Sequence, residues 1–253
     1  MNTIPHRGPY EGMLQILKFN WRMYLATAAG AGAALLALPL LPPAGRTALL
    51  LALAPAVFWL VSSLAVSHYV YDCFPLYDLG WIARALARTP RWWVNIHSGL
   101  DETSGLLKAA FPDALCETVD LFDPRTMTEA SIREARKFAH CAVPATPACY
   151  DALPFERGAL DAVFCLFAAH ELRRHEQRVR LFREIARVLA GGGELVLMEH
   201  VRDWRNFLAF GPGFLHFFSP CAWRRAVAEA GLAVCSEFSM TPFVRVYILR
   251  RKP

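Results

Sequence analysis

From Tyr24 to Leu41 the chain reads YLATAAGAGAALLALPLL, and after a Pro42-Pro43-Ala44-Gly45-Arg46 break a second uncharged run extends from Thr47 to Val70. Neither run carries the polar stripe of a helix lying on a globular core. Each is long enough to cross a hydrocarbon layer of about 30 Å, which needs roughly 20 apolar residues at about 1.5 Å rise each. A connection this short joins them as a helical hairpin. The pattern therefore predicts a two-helix transmembrane hairpin over 24–70, preceded by an interfacial segment over 1–23. In that segment Met13, Ile16, Leu17 and Trp21 fall on one side, with Lys18 and Arg22 near the other. Gly30 and Gly32, flanked by alanines, are expected to let the two backbones approach closely. Pro39 and Pro55 are tolerated near a helix end or beside a neighbouring helix. Two buried helices of a soluble protein, or an oligomer interface, are the competing reading. A signal peptide fits less well, because the first run is long, starts late and is followed directly by a second.

Residues 71–90 read as a juxtamembrane linker, with Tyr71, Tyr77 and Trp81 at the expected interface. From 91 to 253 strand-like runs alternate with amphipathic helical ones, the rhythm of an α/β domain with a mainly parallel sheet. Expected strands are Trp92–His97, Cys116–Phe122, Ala162–Phe167, Glu194–Glu199, Leu232–Phe238 and Val244–Arg250. Expected helices are Asp101–Ala110, Met127–Ala139, His175–Ala190 and Cys221–Ala230. Asp101 and Thr103 can cap the first helix, Gly191 can end the third in a left-handed conformation, and Ser219-Pro220 can open the fourth. Ligands of such sheets bind beyond the carboxyl ends of the strands.

Charge orients this picture. Arg7, Lys18 and Arg22 precede the hairpin, Arg84, Arg88 and Arg91 follow it, and only Arg46 lies in its loop. That asymmetry places both termini and the C-terminal domain in the cytoplasm, on the inner membrane. The net charge of +5 is modest and no basic run occurs, which argues against a nucleic-acid partner. The seven cysteines include no CxxC pair and no histidine at zinc-finger spacing, so they read as reduced, mostly buried thiols, with no metal site. Cys141 and Cys149 are near enough in sequence to meet in a loop.

The stretch CYDALPFERGALDAVFCLFAAHEL, followed by RLFREIARVLAGGGELVLMEHVRD, resembles the ubiquinone- and menaquinone-type methyltransferases, a class I S-adenosylmethionine-dependent family. The resemblance rests on Ala152-Leu153-Pro154-Phe155, Leu160-Asp161-Ala162-Val163, Arg187-Val188-Leu189 and Gly192-Gly193 in that order, and runs over 91–253. It implies a Rossmann-like, mostly parallel seven-stranded sheet with helices on both faces, and S-adenosylmethionine as cofactor. In the cofactor set are His97, Ser98 and Gly99 of the first turn and Asp120 for the ribose hydroxyls, with Asp123 as its rival. Asp151, Ala152 and Leu153 are expected at the adenine, with Phe167 at the end of the fourth strand. The first turn keeps one well-placed glycine where the family has an acidic residue followed by Gly-x-Gly-x-Gly.

Methyl transfer is an in-line attack, and a base is needed only if the nucleophile arrives protonated. His170 with Glu171, after the fourth strand, and His200 with Glu199, ending the fifth, are two base-and-orienting-acid pairs for a phenol or hydroxyl. Arg202 and Asp203 lie just beyond, and His97 could instead supply a cofactor contact. The aromatic stretch Asn206–Phe218 reads as a lid over a greasy pocket, as a segment dipping into the bilayer, or as ordinary packing. Together these features predict a membrane-anchored methyltransferase acting on a hydroxyl or carbon of a lipophilic or aromatic acceptor, quinone-, polyene- or lipid-like. Phospholipid N-methylation, disfavoured by the absence of a basic phosphate-binding loop, and a non-catalytic membrane-tethered binding module are the alternatives.

Overall fold

The computed structural model describes residues 8–138 and 143–252. Arg7, the expected helix end at Ala139, and Cys141 lie outside them. Seven strands form one sheet: β1 (Trp92–His97), β2 (Leu115–Asp120), β3 (Ala145–Pro147), β4 (Leu160–Leu166), β5 (Leu189–His200), β6 (Leu232–Thr241) and β7 (Val244–Arg251). Their order is β3-β2-β1-β4-β5-β7-β6, with β7 antiparallel to both its neighbours and every other pairing parallel. The order reverses between β1 and β4, so a crevice opens above their carboxyl ends. All six expected strands are present. β3 escaped the pattern because it is three residues long, lies in a proline-rich stretch and sits at the sheet edge, where proline is tolerated.

Nine helices surround the sheet among the described residues: α1 (Glu11–Phe19), α2 (Trp21–Ala37), α3 (Pro43–His68), α4 (Gly80–Ala85), α5 (Ser104–Ala110), α6 (Ala130–Arg136), α7 (His175–Val188), α8 (Trp204–Phe210) and α9 (Pro220–Glu229). Ser219 caps α9 by accepting from the Ala222 N–H, as its sequence signal requires. Asp101 accepts from the Thr103 and Ser104 N–H groups at the start of α5, whereas Thr103 spends its hydroxyl on Asn95. Gly191 does not end α7. The helix stops at Val188 and passes straight into β5, where Gly192 takes φ +77° and a Cβ on Gly193 would meet the Leu160 carbonyl at 2.9 Å. The glycines thus serve the register shift between β4 and β5 rather than a helix cap.

Two apolar layers sandwich the sheet. On one face Phe182 and Ile185 of α7 and Trp223 of α9 pack with Leu195 and Leu197 of β5. On the other face Trp93, Phe164 and Ile248 pack with Val70, Leu76 and Ile82. Val70 is the last residue of the expected hairpin, and Leu76 and Ile82 come from the stretch expected to be a juxtamembrane linker; all three are fully buried. Residues 70–86 therefore belong to the core of the sheet domain.

α2 and α3 form the expected hairpin, closed by Arg46, whose guanidinium donates to the Pro39 and Leu41 carbonyls in the connection. Their contact is polar where the sequence suggested small residues. Tyr24 and Ser63 share a 3.0 Å hydrogen bond, while the space beside Gly30 and Gly32 is open. Only 6% of each apolar window is buried, and Leu36 and Leu40 are 82% and 85% exposed, unlike the core helices of a soluble domain. α1 docks on this unit through Asp72, whose carboxylate accepts the Gly12 and Met13 N–H groups and meets the His68 ring. The described cysteines are all free. Cys165 is buried, but Cys73, Cys149, Cys221 and Cys235 are exposed, contrary to the expectation of mostly buried thiols.

Candidate active site

The end of β1 is built from a polar network in place of a run of glycines. Asn95, buried, donates to Asp101, Thr103 and Ser104, and the Ser104 hydroxyl meets that of Thr118 on β2. Such a network fixes the turn by hydrogen bonds rather than by backbone permissiveness. His97 follows, 4% exposed, with both ring nitrogens unpartnered. Burial pushes its pKa below the ordinary value, against the pull of Asp101 and Asp120. Ser98 donates to the Ala168 carbonyl across the switch point.

Asp120 ends β2 directly beside His97. Its carboxylate accepts from the Phe122 N–H and from Arg136 of α6 at 2.8 Å. Arg136 also lies over the Phe122 ring at 4.1 Å. A Cβ on Gly99 would meet Ile132 at 3.0 Å and Arg136 at 3.4 Å, so α6 packs down on the first turn. The donor set fits the cofactor's needs: a carboxylate for a diol, a flat ring, and an imidazole without partners. Arg136 occupies one oxygen of that carboxylate and the Phe122 N–H the other.

The other expected cofactor residues lie elsewhere. Asp123 is bound to the Arg125 side chain and backbone in an exposed turn, and these bonds hold its carboxyl below the usual range. Asp151 is exposed and accepts from the Cys149 thiol, with Arg180 of α7 at 3.5 Å. Ala152 closes a tight turn with Cys149, and Leu153 is buried in the core, its N–H on Glu184. The contacts to Arg180 and Glu184 place the segment after β3 along α7. Phe167 stands at φ +54°, rare for a residue with a side chain, and its ring lies 5.3 Å from that of His200. Its ring therefore packs against His200 at the end of β5.

Of the two expected His-plus-Glu pairs, His170 keeps Glu171 and also takes Glu199, which leaves His200 without a carboxylate. Glu199, on β5, accepts from both the backbone N–H and Nδ1 of His170, at 3.2 and 2.7 Å. Glu171 faces the His170 Nε2 at 3.4 Å. Burial disfavours a charged His170, but the two carboxylates outweigh it and hold its pKa up at about 10. The two carboxylates thus favour its charged form, which has no lone pair to take a proton. His200 has the opposite character. Its Nδ1–H donates to the Phe243 carbonyl, so Nε2 accepts from the Tyr71 hydroxyl at 2.7 Å. Burial pushes its pKa down to about 4. Phe217 stacks on it at 4.9 Å, and Phe167, Phe210 and Tyr71 complete an aromatic box.

Tyr71, expected at a membrane interface, instead reaches this site from a π-helical turn over Tyr69–Cys73. The aromatic stretch forms α8 and a 3-10 segment, Gly211–His216, packed on α3. Ser62 donates to the Ala209 carbonyl, Trp59 meets Phe207 edge-on, and the Trp59 ring covers Gly211 where any Cβ would clash at 2.5 Å. An apolar groove of about 390 Å³ runs between α3 and α8, lined by Phe58, Val66, Leu208 and Phe243.

Glu199 is 1% exposed, and removing one partner of such a buried pair strands the other. Glu199→Ala is expected to destabilise the fold by about 3 kcal/mol or more, read by thermal melting in detergent. A loss below about 1 kcal/mol would contradict the pairing. His170 is raised in the folded state, so the stability it supplies is complete below its ordinary value of about 6.5. That stability is lost as pH rises toward about 10. Glu199→Gln is expected to flatten that decline.

Residues 103–197 match a protein-family model described as a methyltransferase domain. The mitomycin 7-O-methyltransferase MmcR is similar in structure at a TM-score of 0.56 and 14% identity, over 98% of this chain and 74% of that one. Geranyl diphosphate C-methyltransferase from Streptomyces coelicolor A3(2) follows at 0.52 and 15%, over 75% and 83%. The PH0226 protein from Pyrococcus horikoshii OT3 gives 0.50 and 16%, over 70% and 90%. At such identities the likeness is one of fold. No curated protein matches the chain. The fold is the Rossmann-like methyltransferase sheet, and the domain match supports S-adenosylmethionine as its cofactor.

Proposed function

We propose that this chain is a membrane-anchored methyltransferase that moves a methyl group from S-adenosylmethionine to a hydroxyl or carbon of a lipophilic or aromatic acceptor. The observation that carries this reading is the aromatic box around His200, set where β4 and β5 end and walled by a segment that packs against apolar α3. The cofactor supplies an electrophilic methyl group on a sulfonium. The chain supplies the rest: Asp120 accepts the ribose hydroxyls, the box excludes water, and the neutral His200 Nε2 takes the proton of a hydroxyl that displaces Tyr71. His170, already charged, steadies negative charge arising nearby.

Membranes containing the protein, incubated with S-adenosylmethionine labelled in the methyl group, are expected to accumulate label in the solvent-extractable fraction. Label confined to protein or to water-soluble products would overturn the acceptor class. The hairpin reading has its own test. After alkaline carbonate extraction the protein is expected in the membrane pellet, with a C-terminal reporter on the cytoplasmic side. Release as a soluble dimer would instead make α2 and α3 an oligomer interface.

A second reading, a binding module without catalysis, draws support from one feature: Arg136 on Asp120, with Ile132 over Gly99. Cofactor binding separates the two.

A further inference from the structure

A cluster of ionisable side chains beside the His200 box is not used by the proton transfer just described. His170, Glu171 and His216 place one ligand atom each within 4.8 Å of one another, and all three are partly open to solvent. Each imidazole is buttressed by a carboxylate on Nδ1: Glu199 at 2.7 Å for His170 and Glu129 at 3.0 Å for His216. A carboxylate in that position fixes the ring and leaves Nε2 as the ligand atom once the metal ion has displaced its proton, the outer-shell arrangement of metal-bound histidines. Arg173 ties the frame by donating to the backbone carbonyls of both His170 and His216, at 3.1 and 2.7 Å. Independently of the histidines, Glu171 has one carboxylate oxygen, Oε2, buried with no hydrogen-bond partner. A buried acceptor without a donor calls for a cation or a donor at that point.

We propose that His170, Glu171 and His216 bind a divalent transition-metal ion, two imidazoles and one carboxylate on one side with open positions on the other. Bonds of about 2.0–2.2 Å put ligand atoms of one ion about 3–3.5 Å apart, so the cluster closes on the metal by side-chain shifts on the order of 1 Å. Imidazole ligands suit Zn²⁺, Cu²⁺, Fe²⁺ or Ni²⁺, with Co²⁺ as a spectroscopic substitute, whereas Mg²⁺ prefers oxygen ligands and keeps its water. His216 touches the ring of Phe217, which in turn stacks on His200, so the open positions lie one aromatic ring from the base. There the ion would hold an oxygen atom of the acceptor. That role rests on the methyl-transfer reading, but the site itself does not.

The full-length protein in detergent, stripped with chelator, is loaded with Co²⁺ or Zn²⁺, desalted and assayed for metal by mass spectrometry. S-adenosylhomocysteine binding is measured on the same samples by calorimetry. The expected result is about one ion per chain, a Co²⁺ visible spectrum of mixed nitrogen and oxygen ligation, and no retention of Mg²⁺. His216→Ala, on a partly exposed turn, is expected to abolish retention. Glu129→Gln should weaken it roughly 10–100-fold through the outer shell, while leaving S-adenosylhomocysteine binding intact. Absence of retained metal, or retention unaffected by His216→Ala and by Glu171→Gln, overturns the site. Metal bound without S-adenosylhomocysteine keeps the site and removes the methyl-transfer reading. S-adenosylhomocysteine bound without metal does the reverse.

Discussion

Asp120→Ala is expected to weaken S-adenosylhomocysteine binding at least about 100-fold, because a carboxylate accepting two hydroxyls contributes roughly 1.5–3 kcal/mol per charge-assisted bond. The aspartate ends β2 at the switch point, beside a buried histidine with both nitrogens unpartnered. Asp123→Ala is expected to change little, since that carboxylate is already spent on Arg125. Arg136→Ala should act in the opposite direction. It frees Asp120 from a half-buried ion pair worth about 1 kcal/mol and so tightens binding a few-fold. Calorimetric titration of the three variants reads all of this at once. A larger loss for Asp123→Ala than for Asp120→Ala would reverse the ribose assignment.

His200→Ala is expected to lower methyl transfer to a hydroxyl acceptor by about 10²–10⁴-fold, the usual contribution of a positioned base, with S-adenosylhomocysteine affinity unchanged. The expectation follows from the tautomer: Nδ1–H is fixed on the Phe243 carbonyl, which leaves the Nε2 lone pair toward Tyr71. His170→Gln removes a charge instead of a base and should cost less. Methyl transfer measured with the two variants decides between the histidines. Undiminished transfer by His200→Ala would remove it as the base.

The sheet was legible because its signals are local. Alternation of apolar runs with amphipathic helices placed six of seven strands, and the one missed, β3, is too short and too rich in proline to carry a pattern. The hairpin was legible for the same reason. Its packing was not, because the face of α2 that meets α3 carries the Tyr24–Ser63 hydrogen bond, while the space beside Gly30 and Gly32 stays open.

The site was legible by strand end but not by partner. That His170 follows and Glu199 ends neighbouring inner strands is read from the sequence. That Glu199 reaches across to His170, leaving His200 to Tyr71, depends on how β4 and β5 sit side by side. Tyr71, Glu129 and His216 arrive from distant segments, and no spacing rule joins residues separated by a whole domain. A tyrosine in an apolar run reads as an interface anchor on composition alone, and only the π-turn at Tyr69–Cys73 turns it inward.

The most direct test of the central claim is a calorimetric titration of the detergent-solubilised wild-type protein with S-adenosylhomocysteine. Saturable binding of one ligand per chain is predicted. No binding at about 1 mM, an affinity weaker than about 4 kcal/mol, would contradict the methyltransferase reading and leave a fold in which Arg136 and Ile132 permanently close the first turn.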